Sequence, residues 1–213
     1  MSSPESHAGL DDRLPEKQVH MVRSAYRLMG ERGVHRVSLQ DIAEAAGVSK
    51  GLVPYYFKTK ENLVLATMRW VLHQVAERIR QSMAGAETAE ERLLAMLDVI
   101  FAEPEANRRF YVVYLDLVEY AAREHRFGQL SATFREVVNA LYAEVIGAGV
   151  AEGTFKVEDV DEAAAGMRAL IEGVFVQWLQ EDDWRGVHAS YRDFCKRAVL
   201  GFLGARPGGG PLS

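Results

Sequence analysis

Apolar residues recur at helical spacing through nearly the whole chain. Met21, Val22, Ala25, Leu28 and Met29 fall at i, i+1, i+4, i+7 and i+8, which predicts a first helix from about Pro15 to Glu31, ended by Gly33. A short helix is expected over about Leu39–Ala46 and another over about Lys50–Phe57. A long one should follow Thr59 to about Met83, with Leu63, Met68, Val71, Val75 and Ile79 inward. Beyond the Ala84-Gly85-Ala86 break, helices are predicted over about Ala89–Ala102, Pro104–Glu124, Leu130–Gly147, Val160–Gln180 and His188–Leu203, with Gly147, Gly149 and Gly153 read as turns. Phe110–Leu115 taken alone would suit a strand. Its flanks continue at helical spacing for about 20 residues, so length decides for helix. The fold class expected is all-α.

The stretch Ser38–Lys60 carries the most local information. Ser38 with Asp41 three residues later has the form of a capping box, the hydroxyl and the carboxylate each answering a backbone N–H at a helix start. Ile42, Ala43 and Ala46 then present a narrow apolar face that another helix can approach closely. Gly47 follows where the chain must turn, Val48 plugs the corner, and Ser49 is expected to cap the next helix. A helix, a tight glycine turn and a second helix with small residues between them form a helix-turn-helix.

Composition narrows the function classes. Of 213 residues, 48% are hydrophobic and 26% charged, which excludes disorder as the dominant state. No window approaches about 18 uncharged apolar residues, so no membrane partner is expected. The polar segment Met1–Arg13 lacks the basic start and apolar block of a secretory signal. The one cysteine, Cys195, sits in an apolar pattern, excludes an internal disulfide or a multi-cysteine zinc site, and fits a cytoplasmic protein. The net charge of −5 is unevenly spread. Residues 1–60 hold nine Lys/Arg against seven Asp/Glu, while the remainder holds 16 against 23, so a mildly basic head precedes an acidic body.

Ser38, Ile42, Ala43, Ala46, Gly47, Val48, Ser49, Gly51, Phe57, Lys60 and Leu63 stand in the order and spacing of the N-terminal motif of the TetR family of transcriptional regulators, which this segment resembles over about residues 17–65. The resemblance implies an N-terminal three-helix DNA-binding domain and a C-terminal helical domain for ligand binding and dimerisation. The corresponding division is residues 1–14 as a tail, 15–60 as the helix-turn-helix domain, 61–204 as the helical domain and 205–213 as a second tail. It further implies that the helix after Gly47 reads the major groove of double-stranded DNA. Carried over by position, Gln40, Lys50, Gly51, Leu52 and Tyr55 are candidates for the base edges, and Ser38, Ser49, Tyr56 and Lys60 for phosphates. Pro54 departs from the family pattern, which often has a phosphate-binding tyrosine there. Its missing N–H is expected to shorten or distort the reading helix.

In the acidic body the resemblance implies a small-molecule pocket, for which Tyr111, Tyr114, Phe134, Met167, Phe175 and Trp178 are candidates. It also implies a homodimer through the last two helices, where Tyr191, Phe194, Ala198, Val199 and Phe202 leave apolar surface to spare. Effector binding would shift the long helix after Thr59, where Arg69, Trp70 and His73 lie, and so alter the spacing of two reading helices. The expected function is thus a ligand-responsive regulator, in the common case a repressor. It would bind a near-palindromic operator as a dimer and be released by a small apolar or amphipathic molecule. The alternative is an interaction protein derived from a helix-turn-helix that has lost specific DNA binding. An enzyme is not expected: no Glu-x-x-His pair, Gly-x-Ser-x-Gly, His-Glu-x-x-His or phosphate loop is present. Neither a cofactor nor a metal is called for.

Overall fold

The computed structural model describes residues 14–123 and 125–205, except for the side chains of residues 121, 125–131, 133 and 134. The two proposed tails therefore fall almost wholly outside the described residues. In chain order the helices are α1 (Glu16–Arg32), α2 (Leu39–Ala45), α3 (Leu52–Phe57), α4 (Lys60–Met83), α5 (Ala89–Ile100), α6 (Pro104–Arg123), α7 (His125–Ala151), α8 (Val160–Trp178) and α9 (His188–Phe202), with a 3₁₀ turn at Val34–Arg36. The all-α expectation holds, and Phe110–Leu115 lies inside α6. The chain divides into two compact units, residues up to Gln74 and residues from Val75, and α4 contributes to both.

In the first unit α1 packs on α2 and α2 on α3. The predicted stripe of α1 is buried as expected, with Met21, Val22, Ala25 and Met29 wholly inaccessible. Ile42 and Ala43 of α2 and Val53 of α3 are equally inaccessible, and Phe57 is buried. The small residues at Ala43 and Ala46 are what let these short helices come together, since a larger side chain would hold the backbones apart.

The second unit is built around α7 and α8, which pack on each other, with α5 and α6 against α7 and with α9 against α8 and α5. Its core contains Leu93, Met96 and Leu97 of α5, Ile146 of α7, Ala164, Met167, Ile171, Phe175 and Trp178 of α8, and Cys195 and Val199 of α9. Each large side chain buried there stabilises the fold by about 1.5–3 kcal/mol.

Several boundaries differ from the sequence reading. Gly147 and Gly149 are not turns: α7 starts earlier than expected, at His125, and runs through both to Ala151. Gly149 is small for a packing reason, because a Cβ there would overlap the ring of Phe155. Gly153, at φ +74°, does make the turn that follows α7. Helices α5, α8 and α9 end one or two residues before the limits expected from periodicity, where fraying and tight last turns blur a boundary.

Candidate functional site

The turn between α2 and α3 is held by an interlocking set of backbone and side-chain bonds. The capping box predicted at Ser38 is present: Asp41 N–H donates to Ser38 Oγ at 3.1 Å and Ser38 N–H to Asp41 Oδ2 at 2.8 Å. At the other end of α2, Val48 N–H donates to Ala43 O and Gly47 N–H to Glu44 O, both at 3.0 Å, with Gly47 at φ +62°. That pair of bonds is a Schellman motif, and the left-handed residue it demands explains the glycine. No atom lies within 4 Å of a Cβ built at Gly47, so backbone conformation rather than crowding requires it. One carbonyl at the end of α2 would still lack a helical partner. His20 of α1 supplies it, Nε2–H donating to Ala46 O at 2.8 Å. Sequence reading missed His20, because no local pattern links residues 26 apart.

Helix α3 begins two residues later than expected. Residues 49–52 form a turn closed by Leu52 N–H to Ser49 O at 2.9 Å, so Ser49 does not cap the helix. Gly51 occupies the cap position without a side-chain bond. The later start is the shortening expected of Pro54: α3 has six residues, and position 54 has no N–H to give to Lys50 O. The proline is the third residue of α3, and the first helical bond runs from Tyr55 N–H to Gly51 O at 3.1 Å. Beyond that shortening α3 continues through the proline to Phe57 without a break. The face opposite Val53 and Phe57 is open: Tyr55 is 67% exposed, Gly51 and Lys50 are exposed, and Leu52 and Tyr56 are half-buried. Gly51 has nothing within 4 Å of where a Cβ would stand and an ordinary negative φ, so neither space nor conformation within the chain requires a glycine there. Gln40 and Ser49 are exposed as well.

The remaining candidates are engaged within the chain. Ser38 Oγ also donates to Asp41 Oδ2 at 2.5 Å. Lys60 Nζ donates to His35 O in the 3₁₀ turn at 3.2 Å, and partial burial lowers its pKa. Between α3 and α4 the chain reverses at Lys58, with φ 66° and ψ −56°, and Thr59 N–H donates back to Phe57 O at 2.7 Å. These are the angles and the i→i+2 bond of a positive-φ γ-turn, a rare conformation for an L-residue. Such strain costs about 1–3 kcal/mol. Lys58 Nζ lies 5.4 Å from the centroid of the Tyr55 ring, a cation–π contact that returns about 0.5–1 kcal/mol at an exposed site.

In the second unit the predicted aromatic candidates converge. The rings of Phe101, Phe175 and Tyr111 stack in sequence, with centroids 4.2 and 4.0 Å apart. Tyr114 meets Tyr111 edge to face at 6.0 Å, and Trp178 meets Phe175 likewise at 5.9 Å. Met167 is fully buried in the same core. Phe134 lies on α7 among the side chains outside the described residues. A polar group adjoins the rings: Tyr114 O–H donates to Glu172 Oε1 at 2.9 Å, Arg168 pairs with the same oxygen at 2.8 Å, and Arg168 Nε reaches Asn139 Oδ1 at 2.9 Å. Burial first, then the Glu172 charge and hydrogen bond, push the Tyr114 pKa up, so its phenol stays protonated. Trp178 has its one donor occupied, Nε1–H to Trp184 O at 2.6 Å. His188, near Trp178, donates from Nε2–H to Asn107 Oδ1 at 2.8 Å, and Asn107 passes its own amide proton to Ile100 O. Sequence reading missed Asn139, Arg168 and Glu172, which stood in the sequence as ordinary charged and polar residues of helix surfaces.

Among the described residues the chain is all helical, with this turn in its first unit and an aromatic core in its second. The model for bacterial regulatory proteins of the tetR family matches residues 22–67, and the model for the C-terminal part of BetI-type transcriptional repressors matches residues 89–204, more than half of the chain. The chain belongs to the TetR family of transcriptional regulators, with a C-terminal region of the BetI type. It is 27% identical over 163 residues to the HTH-type transcriptional regulator BetI of Brucella anthropi, covering 76% of this chain and 81% of that one. Identity is 28% over 148 residues to the HTH-type transcriptional repressor KstR2 of Rhodococcus jostii, covering 68% and 70%. A regulator from Saccharomonospora viridis, solved in complex with choline, superposes with a TM-score of 0.74 at 24% identity, over 89% of this chain and 96% of that one. These relatives are regulators of transcription, not enzymes. Among the described residues no helix is long and apolar enough to cross a membrane.

Proposed function

We propose that the chain is a cytoplasmic, effector-released repressor that binds a near-palindromic operator as a homodimer through α8 and α9. The observation that carries the DNA reading is the rigid Schellman turn followed by a helix whose outer face is left open at Lys50, Gly51, Leu52 and Tyr55. In a helix-turn-helix the first residues of the second helix meet base edges, and a glycine without a side chain allows the duplex backbone to come close. Gln40, Ser49 and Tyr56 flank that face as further contacts. Ser38 acts more weakly than its position suggests, since its hydroxyl proton is given to Asp41, whereas Lys60 keeps two N–H groups after its bond to His35 O. Pro54 shortens α3 but leaves its outer face open, so the DNA reading is preferred to the alternative of an interaction protein without DNA binding.

The effector reading rests on the rings of Tyr111, Tyr114, Phe175 and Trp178, with Met167 in the same core, beside Glu172. The Glu172 charge is already met by Arg168. A neutral or dipolar amphipathic molecule therefore suits the site better than a bare cation, with its polar end exchanging bonds at Tyr114 and Glu172. Helix α4, with residues in both units, is the covalent link by which the effector state reaches the reading head. Selecting bound duplexes from a random DNA pool tests the operator claim, and enrichment of an inverted repeat is expected. A compound screen for release of that duplex, with choline included, tests the effector. Tyr114→Phe should weaken release without weakening DNA binding; no enriched sequence would overturn the function proposed.

A further inference from the structure

Among the described residues Lys58 is the single non-glycine at positive φ. Glycine or asparagine would occupy that γ-turn at lower cost. The side chain is exposed and fills no part of the core. Its one charged-group contact is the face of Tyr55, itself 67% exposed, and among the described residues the ammonium has no hydrogen-bond or ion-pair partner. The strain of the turn is larger than what an exposed ring contact returns, so the contact with Tyr55 is not by itself the reason for a lysine there. The fold around the turn carries that strain, and the exposed ammonium is left available to a group outside the chain. An ammonium beside the open face of α3 is matched by the anion that lines a DNA groove. Of the other candidate phosphate donors, Ser38 has its hydroxyl proton on Asp41, Lys60 gives one of its three N–H groups to His35 O, and Pro54 offers no donor at all.

We propose that Lys58 is a phosphate-binding residue of the reading head, held by its γ-turn and steadied by the Tyr55 ring so that its ammonium grips one phosphodiester beside α3. This rests on the DNA-binding reading above. The experiment is fluorescence anisotropy of the full chain with a pool-selected duplex and a random-sequence duplex, each titrated over a range of salt.

Lys58→Gly relieves the positive φ, so its melting temperature should equal or exceed that of the unaltered chain. Its affinity should fall roughly tenfold for both duplexes at low salt. The slope of log affinity against log salt should become shallower by about 0.9 per subunit. Lys58→Arg, which keeps the charge, should restore the slope. A Lys58→Gly slope equal to that of the unaltered chain overturns the proposal alone, as does a loss confined to the selected duplex, which would mean a base contact. Absence of salt-dependent duplex binding by the unaltered chain overturns the DNA reading, and this inference with it.

Discussion

His20 in α1 and Ala46 at the end of α2 are joined by a hydrogen bond of 2.8 Å from ring nitrogen to backbone carbonyl. The bond satisfies a helix-end carbonyl one residue before the left-handed Gly47, so it ties the turn to α1 as well as to α2. Replacing His20 with Ala should cost about 0.5–1.5 kcal/mol, the net worth of such a bond. The measurement is urea unfolding followed by a probe in the first unit, together with operator affinity. His20→Gln, which keeps a donor, should recover part of both. Equal stability of the alanine variant would mean that the turn is held by its backbone bonds alone.

The two glycines of the reading turn should behave oppositely. Gly47→Ala forces an L-residue to φ +62° and should cost about 1–2 kcal/mol of stability. Gly51→Ala meets open space at an ordinary φ, so stability should change by less than about 0.5 kcal/mol. Its added methyl group would stand on the open face of α3, and operator affinity should drop. Denaturation and anisotropy titrations on both variants separate a folding defect from a binding defect.

The outer surface of α8 and α9 bears Val176, Phe194 and Phe202, of which Phe194 is 50% exposed and Phe202 46%. Surface of this kind is stabilised by a partner. If α8 and α9 form the proposed dimer interface, replacing Phe194 and Phe202 together with Glu should give a monomer in sedimentation equilibrium where the unaltered chain gives a dimer. Operator binding should then be lost, since a single reading helix makes half the contacts. A double variant that still sediments as a dimer would place the interface elsewhere.

Acid should weaken the second unit through His188. Burial, followed by the charge of Arg192, holds its pKa below the ordinary value, so the folded chain keeps the ring neutral. The unfolded chain takes up a proton near pH 6.5. Stability is therefore complete above about pH 6.5 and falls as the pH drops from there toward the lower folded value. His188→Gln, which can still donate to Asn107, should flatten that part of a melting-temperature profile. An unchanged profile would assign the acid sensitivity to other groups.

The short-range features of this chain were legible from residue order. The stripe of α1, the Ser38–Asp41 box and the left-handed Gly47 depend on neighbours within a few residues, and all are present as read. Errors of the reading arose where one residue type suits two local roles. Gly149 looked like a turn and is a seat for Phe155, and Ser49 looked like a cap but lies in a turn ahead of α3. The start of α3 was placed two residues too early, although Pro54 had pointed to a shortened helix.

By itself the sequence determined the helical class, the reading turn and the family, because periodicity, capping and glycine placement are properties of adjacent residues. Only the tertiary structure decided that His20 closes α2, that Arg168 and Tyr114 converge on Glu172, and that the backbone reverses at Lys58 to carry its ammonium over Tyr55. Those are relationships of direction and distance between separate helices, or of a turn whose angles no residue type in the segment dictates. Packing of the whole chain selects them.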